Sequence, residues 1–177
     1  MVRLSTAGAP NRGPAGAPKP VPEARRSGPS ASLVGVSLLL AAVPGTGAAQ
    51  EIQRINPEGM TQPTTYSHVV RVGNQLFIAG QVAVDGDGNL VGRGDMRAQV
   101  RQVLKNLKTV LASQGADFSN VTKINIFTVD IDAFRESGEV RRQFFEGYPP
   151  ASTLVQIERL ARPEFLVEIE AIAVLTR

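Results

Sequence analysis

Beyond residue 65, the spacing of apolar positions switches repeatedly between period two and period three-to-four, and the switches mark out the elements of a domain. Val69-Val70-Arg71-Val72 reads as a strand, Gly73-Asn74 as its turn and 75–79 as the return strand, with 80–84 continuing extended. From Met96, apolar residues recur at Val100, Val103, Leu104, Leu107, Val110 and Leu111. This is the stripe of one helix, and Arg97, Arg101, Lys105 and Lys108 lie off it. Asp95 is placed to cap that helix and Gly115 to end it. Residues 121–129 alternate as a strand. A second helix is expected after Asp130-Ile131-Asp132, with Phe134, Val140, Phe144 and Phe145 as its inner face and Tyr148-Pro149-Pro150 as its stop. Two closing strands, 153–159 and 165–175, are joined by the polar run Ala161-Arg162-Pro163-Glu164. The order strand, strand, helix, strand, helix, strand, strand predicts an α+β domain: a mixed sheet with two amphipathic helices packed on one face. The other face is left bare, which argues for oligomerisation.

One loop imitates a metal site. Asp85-Gly86-Asp87-Gly88-Asn89 opens like a calcium loop, but the twelfth position counted from Asp85 is Met96, where a closing glutamate is needed. A tight polar turn is the expectation, and no metal site is assigned.

The first 49 residues have a different composition. They hold five basic residues and one acid, seven of the 12 prolines, seven of the 17 glycines and no aromatic residue. Such a segment buries too little apolar surface to offset its ordering entropy. The charge balance changes with it: beyond residue 49 there are 14 basic and 15 acidic residues, a net of −1 against +3 for the whole chain. The body therefore gives no reason to expect nucleic acid as a partner. Arg25-Arg26 precede an apolar run over 31–43 and a small-residue exit, Pro44-Gly45-Thr46-Gly47-Ala48-Ala49, which is the segment order of a secretory signal. The run is too short for a stable membrane anchor. The expectation is a disordered leader over 1–49, a short linker over 50–65 and the domain over 66–177, with the mature protein periplasmic or secreted. If the translation start is instead misplaced upstream, the protein is cytoplasmic.

Zero cysteines exclude a disulfide framework, a thiolate metal site and a cysteine nucleophile. The single histidine, His68, makes a multi-histidine metal site or a Ser-His-Asp triad a poor reading. Beside a strand start it is expected to face solvent or cap a backbone group.

Several short runs then fall in a familiar order: Tyr66-Ser67-His68, Ile78-Ala79-Gly80-Gln81, the helix over 99–111, Gly115-Ala116-Asp117-Phe118, Pro150-Ala151 and Val167-Glu168-Ile169-Glu170-Ala171. In order and spacing the chain resembles the Rid family, the reactive intermediate deaminases also called YjgF-type, over about 66–177. The resemblance implies a chorismate-mutase-like fold and a homotrimer with a central barrel of sheets and ligand clefts between subunits. It also implies hydrolysis of 2-imino acids, or their enamine tautomers, to 2-oxo acids and ammonia without a cofactor. In such a site an arginine holds the substrate carboxylate and a glutamate orients or deprotonates water.

Carried over to this sequence, the resemblance implies Glu168 as the catalytic carboxylate and Tyr66, Gly80 and Gln81 as pocket residues. The family's Ser-Gly-Gln turn is here Ala79-Gly80-Gln81, without the hydroxyl. The arginine that follows Pro-Ala is absent, and Ser152 and Thr153 stand there instead, with hydroxyls but no charge. Loss of a charge-assisted pair costs on the order of 2–5 kcal/mol. Weak or absent activity on 2-imino acids is therefore expected, with an imine, an enamine or a related polar compound without a carboxylate as substrate. The alternative is a non-catalytic trimer that binds a small ligand. Arg159 and Arg162 are the candidates to replace the missing arginine, although Arg162 also reads as a loop ion-pair partner. Glu168 also reads as an exposed strand carboxylate sharing its face with Glu170.

Overall fold

The computed structural model describes residues 50–176; the leader and its signal pattern lie outside them. Six strands form one sheet in the order β1-β2-β3-β6-β4-β5. They are β1 (Ile52–Ile55), β2 (Val69–Val72), β3 (Gln75–Gln81), β4 (Val121–Thr128), β5 (Ala151–Gln156) and β6 (Val167–Val174). Only β4 and β5 run parallel; the other neighbours are antiparallel. The helices α1 (Met96–Ser113), α2 (Ile131–Glu136) and α3 (Gly138–Phe144) complete the α+β fold.

The period-two pattern sets the two faces of the sheet. On β6, Val167, Ile169, Ala171 and Ala173 are buried, while Glu168, Glu170, Ile172 and Val174 alternate with them and are only half-buried. The buried set meets the apolar stripe of α1, where Val100, Val103, Leu104, Leu107, Val110 and Leu111 are fully buried. Asp95 caps α1 by accepting from the Ala98 N–H at 3.0 Å. Gly73, at φ +60°, makes the β2–β3 turn that two adjacent strands require. The opposite sheet face carries no helix among the described residues, and Phe77 and Val155 are exposed.

Two expectations change. The expected linker over 50–65 contains β1, which pairs along the outer side of β2. With only Ile52 and Ile55 apolar, this strand owes its form to the ladder, and its pattern is too short to read. The expected second helix is two helices. Ser137 sits at φ −82°, ψ 11°, and its Oγ donates to the Phe134 carbonyl at 2.6 Å, so the chain turns before Gly138 starts α3. Phe134, Val140 and Phe145 still reach the core from either side of that break, and Phe144 packs against it.

Gln99 is a polar residue inside the apolar stripe, and it is fully buried. Its amide donates to the carbonyls of Gly92 (3.1 Å) and Glu164 (2.8 Å) and accepts from the Leu166 N–H (2.9 Å), tying α1 to the loop that leads into β6. Gln99→Leu strands those backbone groups. A loss of about 3 kcal/mol is expected, as an unsatisfied buried polar group costs about 1–3 kcal/mol. Chemical denaturation of the variant checks it; an unchanged midpoint would mean that water replaces the amide.

The Asp85 loop is the polar turn. Asp85 Oδ1 accepts from the N–H groups of Asp87 (3.0 Å) and Asn89 (2.9 Å), and these bonds, that from Asn89 first, hold its carboxyl below the ordinary range.

Candidate functional site

The ladder between β3 and β6 breaks at one place. Ile78 pairs with Ala171 and Gln81 with Ile169, so two residues of β3, Ala79 and Gly80, stand opposite one residue of β6. This is a β-bulge, a device that re-aims side chains. Glu168 lies against it. A Cβ added at Gly80 would sit 1.8 Å from Glu168 Oε1, 2.7 Å from its Cδ and 2.9 Å from its Cγ. The absence of a side chain at position 80 is thus what gives the Glu168 carboxylate its place.

Glu168 is half-buried, and its carboxylate accepts no hydrogen bond from the described residues. Burial raises its pKa, and the like charge of Glu170 on the same face adds to the rise. The two carboxylates differ in their partners: Glu170 accepts from Asn125 Nδ2 at 2.6 Å. A carboxylate that is desolvated, unpartnered and raised in pKa is suited to exchange a proton with water, whereas one fixed by an amide is a structural acceptor.

Gly80 also borders a 230 Å³ pocket with Tyr66, His68, Gln81, Lys105 and Asn106. Tyr66 is exposed and meets the His68 ring edge-on at 5.7 Å. Of the two expectations for His68, facing solvent or capping a backbone group, the structure takes the second; it is only 4% exposed. The loop before β2 folds over it. His68 Nε2 lies 2.9 Å from the Thr61 carbonyl, which can only accept, so this nitrogen carries the proton. Nδ1 then accepts from Gln81 Nε2 at 3.4 Å. The same Gln81 amide donates to the Ala79 carbonyl at 2.8 Å, which fixes its orientation and ties down the bulge. Gln81 is itself buried, so it supports the turn beneath Gly80 while Tyr66 lines the pocket.

Ser152 and Thr153 part company. Ser152 pairs with Ile124 and shares its side of the sheet, and it borders a 720 Å³ cleft between β5 and α3. Thr153 pairs with Asn125 on the bare face, where Lys123 Nζ donates to its hydroxyl. Glu168, opposite Phe127, is on that bare face too. One chain therefore brings Glu168 and Gly80 together and keeps Ser152 away from them.

Arg162 pairs with Glu164 at 3.5 Å, donates to the Gly88 carbonyl and lies over the Phe165 ring at 4.8 Å. It does not border the Ser152 cleft. Arg141 and Arg142 do border it, and neither was singled out from the sequence. The only trace they leave there is a pair of adjacent basic residues between the inner-face positions Val140 and Phe144.

The family described as Endoribonuclease L-PSP matches residues 59–175. The chain belongs to this family, the YjgF-type or Rid group. A RutC family protein of Pyrococcus horikoshii is 38% identical over 108 residues, 61% of this chain and 85% of the relative. The 2-iminobutanoate/2-iminopropanoate deaminase of Mus musculus is 37% identical over 109 residues, 62% of this chain and 80% of the relative. Among solved structures, E. coli TdcF with bound serine superposes with a TM-score of 0.62 at 28% identity, over 70% of this chain and all of that one. The Rid fold thus accounts for the six-stranded mixed sheet with its helices on one side.

Proposed function

We propose that the protein hydrolyses small imines or enamines derived from amino acids, giving a carbonyl compound and ammonia, and that it does so as a homotrimer with clefts between subunits. The observation that carries this reading is the unpartnered Glu168 carboxylate seated on Gly80 at the bulge. In the reaction, water adds to the C=N carbon while Glu168 takes its proton. That proton returns to nitrogen to give the carbinolamine; Glu168 then takes the hydroxyl proton and passes it to nitrogen, so that the C=O bond forms as the C–N bond breaks and ammonia leaves. A carboxyl raised toward neutrality serves both directions of that transfer. No cofactor enters the scheme. The relatives named as 2-iminobutanoate/2-iminopropanoate deaminases, and the amino acid bound to TdcF, support the substrate class.

The same geometry supports the trimer. Glu168 and Ser152 point to opposite sides of the sheet, and the bare face exposes Phe77 and Val155. A neighbouring subunit laid on that face covers the apolar residues and completes the cleft around Glu168.

RNA cleavage, which the family's description suggests, is less well supported. The chain beyond residue 49 is net −1, and its one histidine is buried with both ring nitrogens engaged. The uncharged Ser152 favours a second reading, a non-catalytic trimer that binds a small ligand.

One experiment separates the two. Iminobutanoate and iminopropanoate are generated in situ by a dehydratase, and ammonia release is followed with and without the protein, alongside light scattering. Acceleration by a trimer is the expected result. No acceleration by a folded trimer would favour the ligand-binding reading, and a monomeric mass would remove the intersubunit cleft.

A further inference from the structure

A 720 Å³ cleft lies between α3 and the edge strand β5. Two guanidinium groups converge on its wall. A Cβ added at Gly138 would meet Arg142 Nη1 at 3.6 Å and Arg141 Nη2 at 3.9 Å, so both heads gather over the one residue of α3 that lacks a side chain. Neither arginine forms an ion pair or a side-chain hydrogen bond with the described residues. Arg141 is half-buried, its guanidinium lies over the Phe134 ring at 4.6 Å, and its Nε is buried without a partner.

Two acids also border the cleft. Glu139 is taken by Arg97, with Oε1 2.7 Å from Nη2 though poorly aligned for a hydrogen bond. Glu146 is exposed and reaches neither arginine. Two like charges are thus held together without a counter-ion, and each lowers the cost of bringing an anion to them. Desolvation, and then Arg142, lowers the pKa of Arg141, which is the mark of that crowding.

We infer that Arg141 and Arg142 form a carboxylate clamp in this cleft, facing the Ser152 hydroxyl, and that they hold the acid group of a small 2-imino or 2-oxo acid. The clamp comes from α3 in place of the charge that β5 lacks at Ser152. Ile124, Phe145 and Pro150 give the same cleft apolar walls, which suit an acid with an alkyl tail better than inorganic phosphate. The assignment rests on the deaminase reading for its substrate class, but the binding does not depend on turnover.

The test uses the full chain and two readouts. 2-Oxobutanoate, a stable probe, is titrated calorimetrically against wild type, Arg142→Gln, Arg141→Lys and the double variant R141Q/R142Q, with inorganic phosphate as the control anion. Wild type should bind 2-oxobutanoate more tightly than phosphate. Arg142→Gln should weaken binding by about tenfold or more, the worth of one charge-assisted contact, and the double variant should abolish it. Arg141→Lys keeps the charge and loses the fork, so it should fall between. Introducing S152R into the double variant should restore binding.

Equal binding of 2-oxobutanoate by wild type and Arg142→Gln, together with a folded double variant that still binds, overturns the clamp. Tighter binding of phosphate overturns its selectivity for an organic acid. If the double variant does not fold, Arg142→Gln and Arg141→Lys decide the matter alone. Ammonia release separates this inference from the reading beneath it. Arginine-dependent binding without turnover keeps the clamp and removes the deaminase. Turnover that is indifferent to both arginines keeps the deaminase and removes the clamp.

Discussion

Glu168→Gln should lower ammonia release from 2-imino acids by about 10²- to 10⁴-fold, the range that a positioned acid–base group contributes. The amide is isosteric, and it neither accepts a proton from water nor returns one to the leaving nitrogen. The same substitution should make the protein more stable at neutral pH. The Glu168 carboxyl is raised by burial first and by Glu170 second, so the folded state resists its ionised form. The sign follows. Below the pKa of the unfolded chain, near the ordinary value of 4.5, the carboxyl is protonated in both states and costs nothing. As pH rises past that value toward the raised folded pKa, the unfolded state ionises first, and stability is lost. Thermal unfolding of wild type and Glu168→Gln should therefore diverge as pH rises from 4 to 7, with the glutamine protein the higher. Ammonia release by the wild-type protein should fall on the acid side through a pKa raised from the ordinary carboxylate value. A variant that loses activity and stability together would mark Glu168 as a structural residue.

That carboxylate was legible in the sequence only through resemblance. Period-two alternation put Glu168 and Glu170 on one face and could not rank them. Their difference lies in what stands opposite: an asparagine amide for Glu170, a glycine at a bulge for Glu168. A bulge depends on the register between β3 and β6, strands 85 residues and three helices apart, and no local pattern records it. The stripe of α1 was fully legible because helical spacing is local. The break at Ser137 was not, since the apolar inner positions continue across it, and a hydroxyl bonding back to Phe134 decides it. His68 shows the same limit: a strand-start histidine reads as exposed or as capping a backbone group, and only the loop before β2, which supplies the Thr61 carbonyl, decides for the second. Arg141 and Arg142 carry no signal of their own in the sequence, which does not show that Gly138, one turn earlier, lets their heads converge.

Gly80→Ala should cost nearly as much activity as Glu168→Gln, although alanine carries no functional group. Position 80 does not need glycine for its backbone: it is absent from the positive-φ glycines, so alanine fits the local conformation. Entropy of the unfolded chain then favours alanine by about 0.4–1 kcal/mol. What the methyl cannot do is share space with Glu168. Its contacts would be 1.8 Å to Oε1 and 2.9 Å as far back as Cγ, so the whole side chain must rotate and not just its tip. The cleft around Glu168 gives it somewhere to go, and leaving the half-buried position relieves the desolvation that raised its pKa. The variant should therefore fold and assemble with a melting temperature close to wild type, with its carboxylate displaced from the reacting atoms. A misplacement of about 1 Å can cost on the order of 10²-fold in rate. The double variant Gly80→Ala/Glu168→Gln should be no slower than Glu168→Gln alone, because both changes remove the same group. Full activity in folded Gly80→Ala would mean that the carboxylate works from another rotamer and that the bulge is not what positions it. Additive losses in the double variant would mean that the Gly80 backbone has a role of its own at the substrate.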